Sequence, residues 1–213
     1  MKRVIRLTES DLERIVKRII TESTEGVDAF IDKILEWYES EDLKQHIGKI
    51  RDFIDASGCK KIEFANLMGG ALGLATHNGV VFSPAIFNKS LQDFLFIIFH
   101  EILHQYQYKK YGIEKMYDYY LGDISVKEAA VAIKDIEMVA DEFAARKVRE
   151  FIKLGVINKI QSSNLGIYKT MDISYFEGML VLLKKMLKER NITDYDEVAD
   201  FFYKIAQQPI RAW

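Results

Sequence analysis

Residues 90–109 of this 213-residue chain read as one long helix, apolar almost all round, with His100-Glu101-Ile102-Leu103-His104 in its middle. A helix that buries every face belongs at the centre of a fold, and this one takes two imidazoles and a carboxylate in with it. Ile97, Ile98 and Phe99 lead into the group, and Ile102 and Leu103 fill its interior positions. Side chains at i and i+4 share a helix face, so both imidazoles can reach one point, while Glu101 is swung toward a water held there. Burying that carboxylate beside two imidazoles without a cation would leave a charge to desolvate. The spacing therefore calls for a metal ion.

Two imidazoles need at least one further protein ligand. The single cysteine, Cys59, excludes a multi-cysteine zinc site and an internal disulfide framework. The positions at which a longer histidine motif would place its glycine and third histidine hold Gln107 and Lys110. Of the other two histidines, His46 and His77, the latter abuts Asn78-Gly79 and reads as an exposed residue beside a turn. Carboxylates remain. A second long helix is expected from Ser125 to Leu154, with Ile133, Ile136, Val139, Ala140, Phe143, Ala144 and Val148 on its buried face. Glu137 falls on that stripe and Asp141 lies one turn beyond, beside small residues that would let the His100 helix come close. Lys134 and Glu142 fall on the outward face in this register.

The rest of the chain fits an α+β fold. Helical periodicity runs over Val27–Tyr38, Asp42–Ala56, Ile173–Arg190 and Asp194–Ala206, and Gly155 is placed to stop the long helix. Lys61–Ala65 alternates like a strand, and Leu72–His77 and Val80–Ser83 flank Asn78-Gly79 as a hairpin. The expectation is a predominantly helical domain over residues 25–213 with a small antiparallel sheet. Residues 1–24 read as a separate leader: Ser10 and Glu13 form a capping box, Leu12, Ile15, Val16, Ile19 and Ile20 share a face, and a polar linker follows. With 30 basic against 32 acidic residues the net charge is −2, which gives no electrostatic footprint for nucleic acid. The longest apolar run, Phe94–Phe99, is far below the ~20 residues of a membrane span. One cysteine, and a basic start with no apolar stretch of the signal-peptide kind after it, point to a cytoplasmic setting.

His100-Glu101-Ile102-Leu103-His104 followed by Glu137-Met138-Val139-Ala140-Asp141-Glu142-Phe143-Ala144 resembles the gluzincin zinc metallopeptidases. It is most similar to the small ones of the ImmA/IrrE and minigluzincin kind, and Asn78-Gly79-Val80-Val81-Phe82-Ser83-Pro84 is similar to their strand before the active helix. The resemblance covers about Ile62 to Phe151. It implies a zincin-like domain with Zn²⁺ held by His100, His104 and Glu137, and Glu101 as general base to a metal-activated water. Asp141 would take a hydrogen bond from an imidazole, that of His100, and the substrate would be a polypeptide. An extended substrate is expected to lie along Leu72–Thr76 or Val80–Phe82. A donor to the developing oxyanion is also required. Tyr117, Tyr119, Tyr120, Tyr168, Tyr175 and His77 are all open to that role, whereas Tyr106, Tyr108 and Tyr111 are expected to be packing and surface residues.

Residues 1–20, above all Val4-Ile5-Arg6-Leu7-Thr8-Glu9-Ser10-Asp11-Leu12, resemble a short N-terminal segment of tailed-phage proteins. That resemblance implies a phage-encoded chain, associated with a capsid or virion through residues 1–22 and cut after Glu22 or Glu9. It opens two alternatives to an intracellular peptidase. One is a virion structural or cargo protein with a non-catalytic metal site. The other is a zinc hydrolase acting on cell-wall peptide cross-links.

Overall fold

The computed structural model describes residues 26–67, 70–157, 168 and 170–207, so the expected leader helix and its linker lie outside the described residues. Two helices come first, α1 (Val27–Tyr38) and α2 (Glu41–Ser57). Strands β1 (Ile62–Phe64), β2 (Gly73–Thr76) and β3 (Gly79–Phe82) follow, then a 3₁₀ turn at Pro84–Asn88. The remainder is helical: α3 (Leu91–Tyr111), α4 (Ile113–Leu121), α5 (Val126–Lys153), α6 (Ile173–Glu189) and α7 (Tyr195–Ala206). Side chains cap these helices where the sequence supplies them. Ser90 accepts from Asp93 N, Ser125 from Glu128 N, and Asp194 from Asp196 N and Glu197 N. Among the described residues no helix is long and apolar enough to cross a membrane.

The α+β class holds, but the sheet is mixed rather than antiparallel. Its order is β1-β3-β2, with β1 parallel to β3 and β2 antiparallel to it. The periodicity of Lys61–Ala65 marks a strand without fixing its direction, because a short strand reaching the sheet after a helix can pair either way. The hairpin turn also differs by one residue from the expected Asn78-Gly79. Thr76 pairs with Gly79, which leaves His77 and Asn78 at the tip. Gly79 is spent on proximity: a Cβ there would lie 2.5 Å from the Lys61 carbonyl oxygen, and its φ of +150° disfavours any other residue. The glycine thus lets β1 close on β3.

The largest core cluster joins α1, α2, the inner face of the sheet, the first half of α3 and the end of α5, with Phe30, Ile34, Phe82, Phe94, Phe99 and Phe151 at its heart. Two smaller clusters hold the C-terminal helices. One gathers Tyr117, Leu187, Val198 and Phe201, and the other Ala129, Ala130, Ile133, Phe176 and Leu180. α3 and α5 form the most extensive helix pair, and the fully buried Ala140 and Ala144 keep α5 thin along the seam. The register of α5 is rotated slightly from the expected one. Val139 is 51 % exposed, and Lys134 is part-buried with its Nζ donating to the Met171 carbonyl. Val139 faces a groove between α3 and α5 instead of the core.

Candidate functional site

α3 brings His100 and His104 to one face, and α5 brings Glu137 against them. One ligating atom from each of the three lies within 4.8 Å of the others. His100 Nε2 is 3.1 Å from Glu137 Oε2 and 3.2 Å from His104 Nε2, and His104 Nε2 is 3.6 Å from the same carboxylate oxygen. Both imidazoles are buried, at 7 % and 8 % exposure.

The far side of each ring decides what the near side can do. His100 Nδ1–H donates to Asp141 Oδ1 at 3.0 Å, and the other Asp141 oxygen accepts from the Tyr168 amide. His104 Nδ1–H donates to Gln107 Oε1 at 2.7 Å. The Gln107 amide is oriented by its own Nε2, which donates to the Ile136 carbonyl. With the Nδ1 protons committed outward, the two Nε2 lone pairs and the Glu137 carboxylate face one another. Three acceptors converging in a buried space repel unless a cation or protons stand between them, so this donor set fits a metal ion such as zinc.

The electrostatics show how protons would respond to that crowding. Burial by itself would lower the His100 imidazole, but hydrogen bonds to Asp141 and Glu137 outweigh it and raise it well above its ordinary value. His104 is raised too, by the Glu137 charge acting against burial. Burial would raise the Glu137 carboxyl, yet the two imidazoles hold it far below the usual carboxylate range. The pattern belongs to a carboxylate and imidazoles that share positive charge.

Glu101 points to the same cavity from the next helical position. Burial pushes its carboxyl up, while the imidazoles and a hydrogen bond from the Ala75 amide pull it down. β2 passes so close that a Cβ on Gly73 would lie 2.4 Å from Glu101 Cγ. Gly73, Leu74 and Ala75 line a cavity of about 220 Å³ together with His100, Glu101, His104 and Glu137. Its other walls are Tyr108, Met116, Tyr119, Tyr120, Ile133, Ile136, Tyr168 and Phe202.

No protein-family model, curated protein or solved structure matches this chain.

The site residues expected from the sequence thus meet at one place: His100, His104, Glu137, Glu101 and Asp141. Of the two strands expected beside the site, β3 is paired on both edges and β2 on one, so β2 has the unpaired edge among the described residues. The donor candidates separate. Tyr119, Tyr120 and Tyr168 line the cavity, Tyr117 is fully buried away from its wall, and Tyr175 is 55 % exposed. One reading is corrected. His77 is not an exposed turn residue: its side chain is 10 % exposed, with Nε2–H donating to Asp196 Oδ1 and Nδ1 facing the Tyr117 hydroxyl. Tyr108 is a packing residue as expected, against Tyr117, but it also forms part of the cavity wall, which the sequence did not suggest, and Tyr106 and Tyr111 are exposed as expected.

Sequence reasoning missed Gln105 and Gln107. Gln105 Nε2 donates to the carbonyls of Thr76 and Gly79, pinning the hairpin to α3, and Gln107 orients His104. A signal existed: glutamines one and three places after His104, on a helix buried on all sides, require partners.

Proposed function

We propose that this chain is a zinc-dependent peptidase of the gluzincin type, phage-encoded, that hydrolyses peptide bonds with Glu101 as general base. The observation carrying this reading is the convergence of the His100, His104 and Glu137 acceptors beside a Glu101 fixed by the edge strand. A zinc ion bound there would acidify a water and polarise a carbonyl. Glu101, whose buried carboxylate is steadied by the Ala75 amide, would accept a proton from the attacking water and return it to the departing amine.

The substrate would lie along β2. The Ser83 amide donates to the Leu72 carbonyl, so alternation along the antiparallel pair turns the main-chain groups of Gly73 and Ala75 to the free edge. The Ala75 amide is held by Glu101, which leaves the Gly73 groups and the Ala75 carbonyl for an extended peptide. Aromatic walls around the cavity exclude water from the reacting bond and favour an apolar side chain next to it.

Glu101→Gln tests the reading. Zinc content should be unchanged, and hydrolysis of dye-labelled casein should fall by at least about 10²-fold. Full activity in the variant would remove Glu101 from the chemistry. Zinc bound by a wild-type chain that cleaves nothing would favour the structural or cargo alternative.

A further inference from the structure

Tyr168 is held from three sides at the edge of the site. Its ring lies against His100 of α3, with centroids 5.7 Å apart and planes 26° apart, and its other neighbour is Phe176 of α6 at 6.1 Å. Its amide donates to Asp141 of α5, the carboxylate that also accepts the hydrogen bond from His100 Nδ1–H. The side chain lines the cavity that contains Glu101 and Glu137. Among the described residues its hydroxyl has no hydrogen-bond partner. A phenol packed on a candidate ligand imidazole, on the wall of the cavity that holds Glu101, is placed to contact whatever occupies that cavity.

Of the other candidates, Tyr119 and Tyr120 share the cavity wall without a ring contact to either imidazole, and the rest are committed elsewhere. The Tyr117 hydroxyl and both His77 nitrogens bond within the Asp196–His77–Tyr117 chain, and Tyr175 is at the surface. Tyr120 stands edge-on to Phe202, 4.9 Å away, on the wall built by α4 and α7. Tyr168 alone packs on an imidazole of the candidate metal centre.

We propose that Tyr168 is a further catalytic residue, whose hydroxyl donates a hydrogen bond to the substrate carbonyl oxygen as negative charge develops on it. The assignment rests on the peptidase reading above. A phenol, whose ordinary pKa is about 10, carries its proton near neutral pH and so acts as a donor, not a base. A donor fixed in advance stabilises the transition state without reorganising, and removing one such donor typically slows turnover about 10²- to 10³-fold. Because Asp141 fixes both the His100 ring and the Tyr168 main chain, the donor and the metal ligand move as one unit.

The test is Tyr168→Phe in the full zinc-reconstituted chain, which keeps the ring and its packing. Two readouts apply: kinetics on dye-labelled casein, and equilibrium affinity for N-phosphoryl-leucinamide, whose tetrahedral phosphoryl group mimics the oxyanion. Expected are an unchanged zinc content, an unchanged KM, and a kcat and a phosphoryl affinity each lower by about 10²-fold. Tyr175→Phe should match wild type. Values of kcat and affinity for Tyr168→Phe within about threefold of wild type would overturn the assignment. If the wild-type chain does not cleave casein, the peptidase reading fails separately. Tyr168 is then judged on the phosphoryl compound alone, and equal affinity in wild type and variant overturns it.

Discussion

His100, His104, Glu137 and Glu101 occupy a few ångströms of buried space, and their charges set how the metal-free protein answers to pH. The two imidazoles are raised above 6.5 in the fold, so they contribute stability that is fully present below 6.5 and lost as pH rises through the elevated values. Glu137 is depressed below 4.5, so its contribution is present above 4.5 and lost as pH falls through the depressed value. Glu101 is raised above 4.5 and opposes the fold once it ionises. The metal-free chain should therefore be most stable between about pH 4.5 and 6.5, with its urea midpoint falling from there to about pH 9 in the presence of a chelator. Zinc should flatten that decline, because the bound dication replaces the protons. An equally flat profile in chelator and in zinc would contradict this account of the charges. At this scale the sequence was most legible where spacing carries chemistry: His100, His104 and Glu101 follow from helical geometry, and Glu137 and Asp141 from their place on an apolar stripe. Gly73 was not legible. Its missing side chain answers to Glu101, 28 positions away in the sequence, and only the fold brings the two together.

At the scale of elements, the hairpin tip, α4 and α7 are joined through one side chain. His77 donates to Asp196 at the start of α7 and faces the Tyr117 hydroxyl of α4 at 3.0 Å, while Tyr117 stacks on Tyr195. His77→Ala should destabilise the chain by about 1 kcal/mol, because it removes the ring's hydrogen bonds to Asp196 and to the Tyr117 hydroxyl, which keeps Tyr108 as a partner. Zinc content should be unaltered, since the ring lies outside the ligand set. Chemical denaturation checks the first statement, and a change under about 0.5 kcal/mol would mean that the link carries no weight. The long helices were readable to within two residues at either end, because each has a continuous apolar stripe and a serine or aspartate cap. α4 was not anticipated. Its nine residues follow Gly112 without a side-chain cap, and half of its apolar positions are tyrosines, among them Tyr117 and Tyr120, that pack against neighbours distant in sequence. The direction of β1 escaped for a similar reason: pairing partners are a property of the sheet and leave no mark on three residues.

Across the whole molecule, the site stands where the large N-terminal core meets the two smaller clusters of the C-terminal helices. α3 and α5 belong to the large core at one end and border the small clusters at the other. This arrangement lets one helix pair bring three candidate ligands together and still border a cavity walled by α4 and α7. The fold class was legible in the order of the elements, whereas the closure of the cavity was not. Its walls come from Leu74, Tyr108, Tyr120, Tyr168 and Phe202, which lie on five different segments. The central claim is that this junction holds one zinc ion, and the most direct test is elemental analysis of the purified full chain beside His100→Ala and Glu137→Ala. The account predicts about one zinc per wild-type chain, little or none in His100→Ala, and an affinity at least about tenfold weaker in Glu137→Ala. No zinc in the wild-type chain after reconstitution, or the same content in all three, would contradict it.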